Sequence, residues 1–76
     1  MNRPQALRLA AKHGQPIVVA NDWGRFDYAL PGGITAHADT KDEVETDLTQ
    51  RGFDSYLLVK PEYLTPCALD TQRSAA

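Results

Sequence analysis

Ile17-Val18-Val19-Ala20-Asn21-Asp22-Trp23-Gly24-Arg25-Phe26-Asp27-Tyr28-Ala29-Leu30-Pro31-Gly32-Gly33-Ile34-Thr35-Ala36-His37-Ala38 is the stretch whose reading decides the fold. Ile17 to Ala20 is a β-branched run with the composition of a strand. Asn21-Asp22-Trp23-Gly24 closes it with turn residues, Gly24 standing where a positive φ is tolerated. From Arg25 to Leu30 the chain alternates, so Phe26, Tyr28 and Leu30 share one face and Arg25, Asp27 and Ala29 the other. Pro31-Gly32-Gly33 turns the chain again: Pro31 fixes φ and Gly32 suits the left-handed position of a type II turn. A third strand from Ile34 to Ala38 completes an antiparallel meander.

Downstream, Thr40-Lys41-Asp42-Glu43 is a capping box that starts a helix, and Gly52 followed by Phe53 ends it, Phe53 reaching back to Leu48. Val44 and Leu48 lie four apart on the buried face. Glu45 and Asp47 are expected to point towards solvent, with Asp47 and Arg51 spaced for an i,i+4 pair. The acids from Asp42 to Asp47 then sit where the helix dipole favours them. Tyr56-Leu57-Leu58-Val59 is apolar on both faces, as an interior strand is. Pro61-Glu62-Tyr63-Leu64-Thr65-Pro66 reads as a turn or a single helical turn between two prolines. Upstream, Asn2 as N-cap, Pro4 in the first turn and Gly14 past the end frame a short first helix. Its apolar stripe, Leu7, Ala10 and Ala11, is narrow, and Lys12 and His13 complement the negative end of its dipole.

The order is therefore α-β-β-β-α-β, an α+β fold with two helices and a four-stranded mixed sheet. The crossover helix returns the fourth strand parallel to the third. Placing that strand beside the first gives the order 3-2-1-4 and makes both apolar strands interior. The alternative, with the fourth strand next to the third, leaves Ile17 to Ala20 on an edge without the charges or prolines that protect edges. Residues 1–69 form one domain, and 70–76, which carry no pattern, are expected to fray. Sequence leaves open which sheet face the first helix covers; if both helices cover one face, the face of Arg25, Asp27, Thr35 and His37 is wet.

The β-β-β-α-β arrangement resembles the truncated ribonuclease-H-like unit of HicB-type antitoxin domains. The stretch Tyr28 to Leu48, with its glycine turn leading into Asp39-Thr40 and an acidic helix start, is similar in outline. Such domains usually begin directly at the first strand, whereas a helix precedes it here. What the resemblance implies is a regulatory, antitoxin-like role.

The 76 residues are 42% hydrophobic and 24% charged, the balance of an ordinary globular chain. A length this short supports one core, with a net stability on the order of 4–11 kcal/mol. The formal charge of −2, with both signs mixed along the chain, provides no basic field for a phosphate backbone. Nucleic acid is therefore not the leading partner. Cys67 is the only cysteine and has no Cys or His neighbour at ligand spacing, so neither a disulfide nor a zinc site is expected. The first residues contain no apolar run of signal-peptide or membrane-span type, which leaves the cytoplasm as the expected compartment.

No catalytic constellation emerges. A ribonuclease-H-like active site needs carboxylates on its central strands, and Ile17 to Ala20 and Tyr56 to Lys60 contain none. Asp22 has a simpler task bonding its own turn. Ser55, Ser74, Cys67, His13 and His37 stand in no motif that fixes a nucleophile beside a base. No phosphate-binding or dinucleotide motif is present, and no cofactor is expected. The reading is a small non-enzymatic accessory protein of bacterial or phage type that binds a protein partner as inhibitor, adaptor or regulatory subunit.

Its candidate anchors are Trp23 and Arg25 with Asp22 at the hairpin tip, because Trp and Arg most often anchor interfaces. Tyr63 and Leu64 are a second pair. A place in the core weighs somewhat more for Trp23, because Trp is highly buried on average, and Tyr63-Leu64 could equally cap one end of the sheet. The alternative is a nucleic-acid-associated or antitoxin-like regulator using Arg3, Arg8 and Lys12 on the first helix. A homodimer that buries a sheet face or edge is the third option.

Overall fold

The computed structural model describes residues 2–21, 23–59 and 64–69. Helix α1 (Arg3–His13) precedes strands β1 (Ile17–Ala20), β2 (Phe26–Leu30) and β3 (Ile34–Ala38). Helix α2 (Lys41–Gln50) and strands β4 (Ser55–Val59) and β5 (Leu64–Ala68) follow. The five strands form one mixed sheet in the order β3-β2-β1-β4-β5. β1 runs parallel to β4 with Val18 opposite Leu58, and the remaining pairs are antiparallel. The expected order of the first four strands and the α+β class are therefore observed, but the sheet has five strands, not four. Among the described residues no helix is long and apolar enough to cross a membrane.

The extra strand is where a turn was expected. Pro66 lies inside β5 opposite Leu57, and a proline demotes a strand reading because it cannot donate to a ladder. β5 is an outer strand of the sheet, a setting in which a proline is accommodated. The expected fraying of 70–76 falls outside the described residues.

Capping sets both helices. At α1 the Asn2 side chain accepts from the Gln5 N–H at 2.9 Å while Gln5 Oε1 accepts from the Asn2 N–H at 3.2 Å, a reciprocal box. At α2, Thr40 Oγ1 accepts from the Glu43 N–H at 3.2 Å. Gly52, at φ 94°, ends α2 in a full Schellman motif: its N–H reaches the Thr49 carbonyl and the Phe53 N–H the Leu48 carbonyl, both at 3.0 Å.

The two helices lie on opposite faces of the sheet, the point that sequence left open. Val44 and Leu48 of α2 pack with Val18, Tyr28, Leu30, Tyr56 and Leu69. Ala6 and Ala10 of α1 pack with Ile17, Ala29 and Leu57 on the other side. The buried stripe of α1 thus includes Ala6, while Ala11, expected to be in it, is exposed. The physical reason is size: two alanines let the α1 backbone approach Ala29 and Ile17 closely, so a face carrying small residues between polar ones still gains a helix.

Two tyrosines tie α2 to the sheet. Tyr28 of β2 donates its hydroxyl to Asp47 Oδ2, and Tyr56 of β4 donates to Glu45 Oε2 at 2.6 Å. Arg51 Nε completes the first set, donating to Asp47 Oδ2 at 2.8 Å. The expected Asp47–Arg51 pair is present, but Glu45 and Asp47 are not simply solvent-facing; they are the acceptors that let buried tyrosines keep their hydroxyls bonded. Burial, reinforced by Asp47, pushes the Tyr28 hydroxyl up to about 12. Burial and then Glu45 push Tyr56 up further. The hydrogen bond from Tyr28 is the largest influence holding Asp47 below the usual carboxylate range, with Arg51 adding to it.

Candidate partner-binding site

Because β1 and β4 are parallel, Ala20 and Val59 finish at the same end of the sheet. β2 begins there, with Phe26 opposite both Ala20 and Ala38, and Leu64 of β5 starts opposite Val59. This end gathers the β1–β2 turn, the β3–α2 junction at Asp39-Thr40, and the outer ends of β4 and β5.

The β1–β2 turn is held by its own polar groups. The Asn21 side-chain oxygen accepts from the N–H groups of Trp23 and Arg25, each at 3.0 Å. The Asn21 N–H donates to the Arg25 carbonyl at 2.8 Å and the Gly24 N–H to the Asn21 carbonyl at 3.2 Å. Gly24 takes φ 78°, the left-handed conformation the turn requires. Asn21, read from sequence only as one turn residue among four, is therefore the organiser of the tip.

Trp23 is 84% exposed, so the core reading does not hold. Arg25, two residues further along the chain, meets Asp39, Nε to Oδ1 at 3.4 Å, with both side chains about two-thirds exposed. An ion pair this wet contributes about 0–1 kcal/mol and can exchange partners at little cost. Leu64 belongs to the packing: it is half-buried against the cluster of Ile17, Ala29 and Leu57. Asp22 and Tyr63 lie outside the described residues.

No protein-family model matches the chain, no curated protein matches it, and no solved structure matches it.

Away from the tip, a cleft of about 290 Å³ opens where the start of α1 crosses β2 and β3. Asn2, Arg3, Asp27, Thr35 and His37 are among its polar lining, with Ala6 and Val19 among the apolar. Asp27 and His37 face each other across β2 and β3. Sequence placed Asp27, Thr35 and His37 on one polar face but could not reveal the wall that α1 adds. The cleft also separates the three cations of the alternative reading. Arg3 lines it, whereas Arg8 and Lys12 form an exposed i,i+4 pair; five residues along an α-helix place Arg3 about 140° around the axis from Arg8.

Proposed function

We propose that this chain is a non-enzymatic binding protein, an inhibitor, adaptor or regulatory subunit of accessory-protein type, whose β1–β2 tip docks on a protein partner. One observation carries the reading: the chain's single tryptophan stands 84% exposed on a turn locked by four hydrogen bonds. An exposed Trp is costly to leave in water, since its side chain presents roughly 150–250 Å² of largely apolar surface. Fixing it on an ordered tip removes part of the entropy loss that binding otherwise incurs. Arg25, two residues along the chain and exposed, supplies a fork of donors for a carboxylate or carbonyl of the partner.

The test is affinity capture with the tagged chain in cells of its own source, with Trp23→Ala and Arg25→Ala in parallel and both proteins and nucleic acids identified. A protein recovered by the native chain and lost by the folded Trp23→Ala variant supports the reading; equal recovery by both refutes it. Fluorescence then gives a direct isotherm with the recovered partner, because burial of the only indole shifts its emission.

A second reading, a nucleic-acid-associated or antitoxin-like regulator, is favoured by one feature: α1 carries Arg3, Arg8 and Lys12, all exposed, and no acidic residue. Nucleic acid recovered in the same experiment, with an affinity that falls with log salt at a slope of about −2 to −3, would select it.

A further inference from the structure

We infer that the outer edge of β3 pairs with β3 of a second copy of this chain, joining two sheets into one about a two-fold axis. β3 is an edge of the sheet, and its sequence, Ile34-Thr35-Ala36-His37-Ala38, carries no lysine, no acid and no proline, the residues that most often blunt an edge. Its pairing with β2 runs through five consecutive residues without a bulge. The opposite edge, β5, holds Pro66 at its centre. Ile34 is 51% exposed, and with Trp23 it is one of two large apolar side chains left in water among the described residues.

The occupant follows from the symmetry of the strand. A two-fold axis through Ala36 sets Ile34 opposite Ala38, Thr35 opposite His37 and Ala36 opposite Ala36. Each residue meets one of the same parity, so outward-pointing N–H and C=O groups of one copy face those of the other. Apolar side chains meet apolar ones on the α2 side, and Thr35 meets His37 on the α1 side. All five residues pair, and no titratable group faces its own copy. Centring the axis on His37 instead would shorten the ladder and oppose the two histidines.

Charge does not forbid the seam. α2 is bonded to Tyr28 of β2 and Tyr56 of β4, so it lies over β1 between them. Five strand spacings then separate the two acidic helices, roughly 24 Å, which exceeds two Debye lengths at physiological salt. On the other face Arg3 and Asp27 line the same cleft beside His37, one charge of each sign. A ladder of five residues per copy is a small interface, so the association is weak and concentration-dependent.

The experiment is sedimentation of the full chain over a concentration series up to about 1 mM. The native chain is expected to show a monomer–dimer equilibrium. Thr35→Lys with His37→Lys, both at exposed positions, sets lysines directly opposite one another twice and should weaken the dimer at least about fivefold. Thr35→Glu with His37→Lys sets opposite charges there and should restore it. Trp23→Ala should leave it unchanged, which keeps this inference separate from the tip's role. A native chain that stays monomeric throughout, a double-lysine variant that dimerises as tightly as the native chain, or a Glu/Lys pair that fails to restore the dimer would each overturn it.

Discussion

Replacing Trp23 by alanine separates an exposed anchor from a packed residue by magnitude. With 84% of the side chain exposed, only about 40 Å² of it is covered, worth at most about 1 kcal/mol at ~25 cal/mol per Å². The hydrogen bonds of the tip use the backbone N–H of residue 23 and the Asn21 side chain, so they survive the change. Urea unfolding followed by circular dichroism should therefore show a midpoint shift below about 1 M with an unchanged slope. A core tryptophan would behave differently: its truncation costs about 3–5 kcal/mol, a large share of the stability of a domain this small. A loss of 3 kcal/mol or more would refute the exposed tip and, with it, the argument that Trp23 is free to bind. For partner binding the same substitution should cost at least about 2 kcal/mol, near thirtyfold in Kd.

The tyrosine clamps give a pH signature. Asp47 is held low in the folded chain, so its contribution is present above the ordinary carboxylate value of about 3.9 and is lost as pH falls through the folded value. Tyr28 is raised to about 12, so its contribution is present below about 10 and is lost as pH rises from there towards 12. Asp47→Asn should move the tyrosinate absorbance transition of Tyr28 down from about 12 but not to 10, because burial is the larger cause; an unmoved transition would show that the bond is not made. Leu48→Ala, at a position with no exposure, should cost about 2–5 kcal/mol in denaturant unfolding, and a cost below 1 kcal/mol would mean that α2 is not docked there.

Alternation and turn chemistry made the meander legible, and the apolar content of Tyr56 to Val59 placed β4 inside the sheet. β5 was hidden because Pro66 cancels the strand signal locally, and its acceptance depends on an edge position that the local sequence does not encode. The second covered face was hidden for another reason. Asp27, Thr35 and His37 read as a wet surface, and only the close approach of Ala6 and Ala10 shows that α1 crosses this face beside them. Glu45 and Asp47 looked like dipole charges because helical spacing says nothing about hydroxyls arriving from a sheet. At the tip, Trp23 was visible as a residue type, but its exposure depends on how Asn21 closes the turn, which composition leaves open.

Helices pack on both faces of the sheet, and this makes the two large apolar side chains left exposed among the described residues informative. With α1 and α2 on opposite sides, every strand contributes to one cluster or the other, so apolar surface is not left in water for want of a helix to cover it. Trp23 remains out at one end of the sheet and Ile34 at one edge. They are set apart by the meander: the tip belongs to the β1–β2 turn, whereas Ile34 opens β3 beyond the β2–β3 turn at the opposite end of the same hairpin strand. One contact surface therefore need not obstruct the other. A second copy joined along β3 would carry its own tip, and because the two β3 strands run antiparallel the second Trp23 would stand at the opposite end of the joined sheet. The two anchors then face away from each other and dock on separate partner molecules, without a gain from effective concentration. Loss of the β3 seam should therefore leave the isotherm at each tip unchanged, whereas a destabilised tip would weaken it.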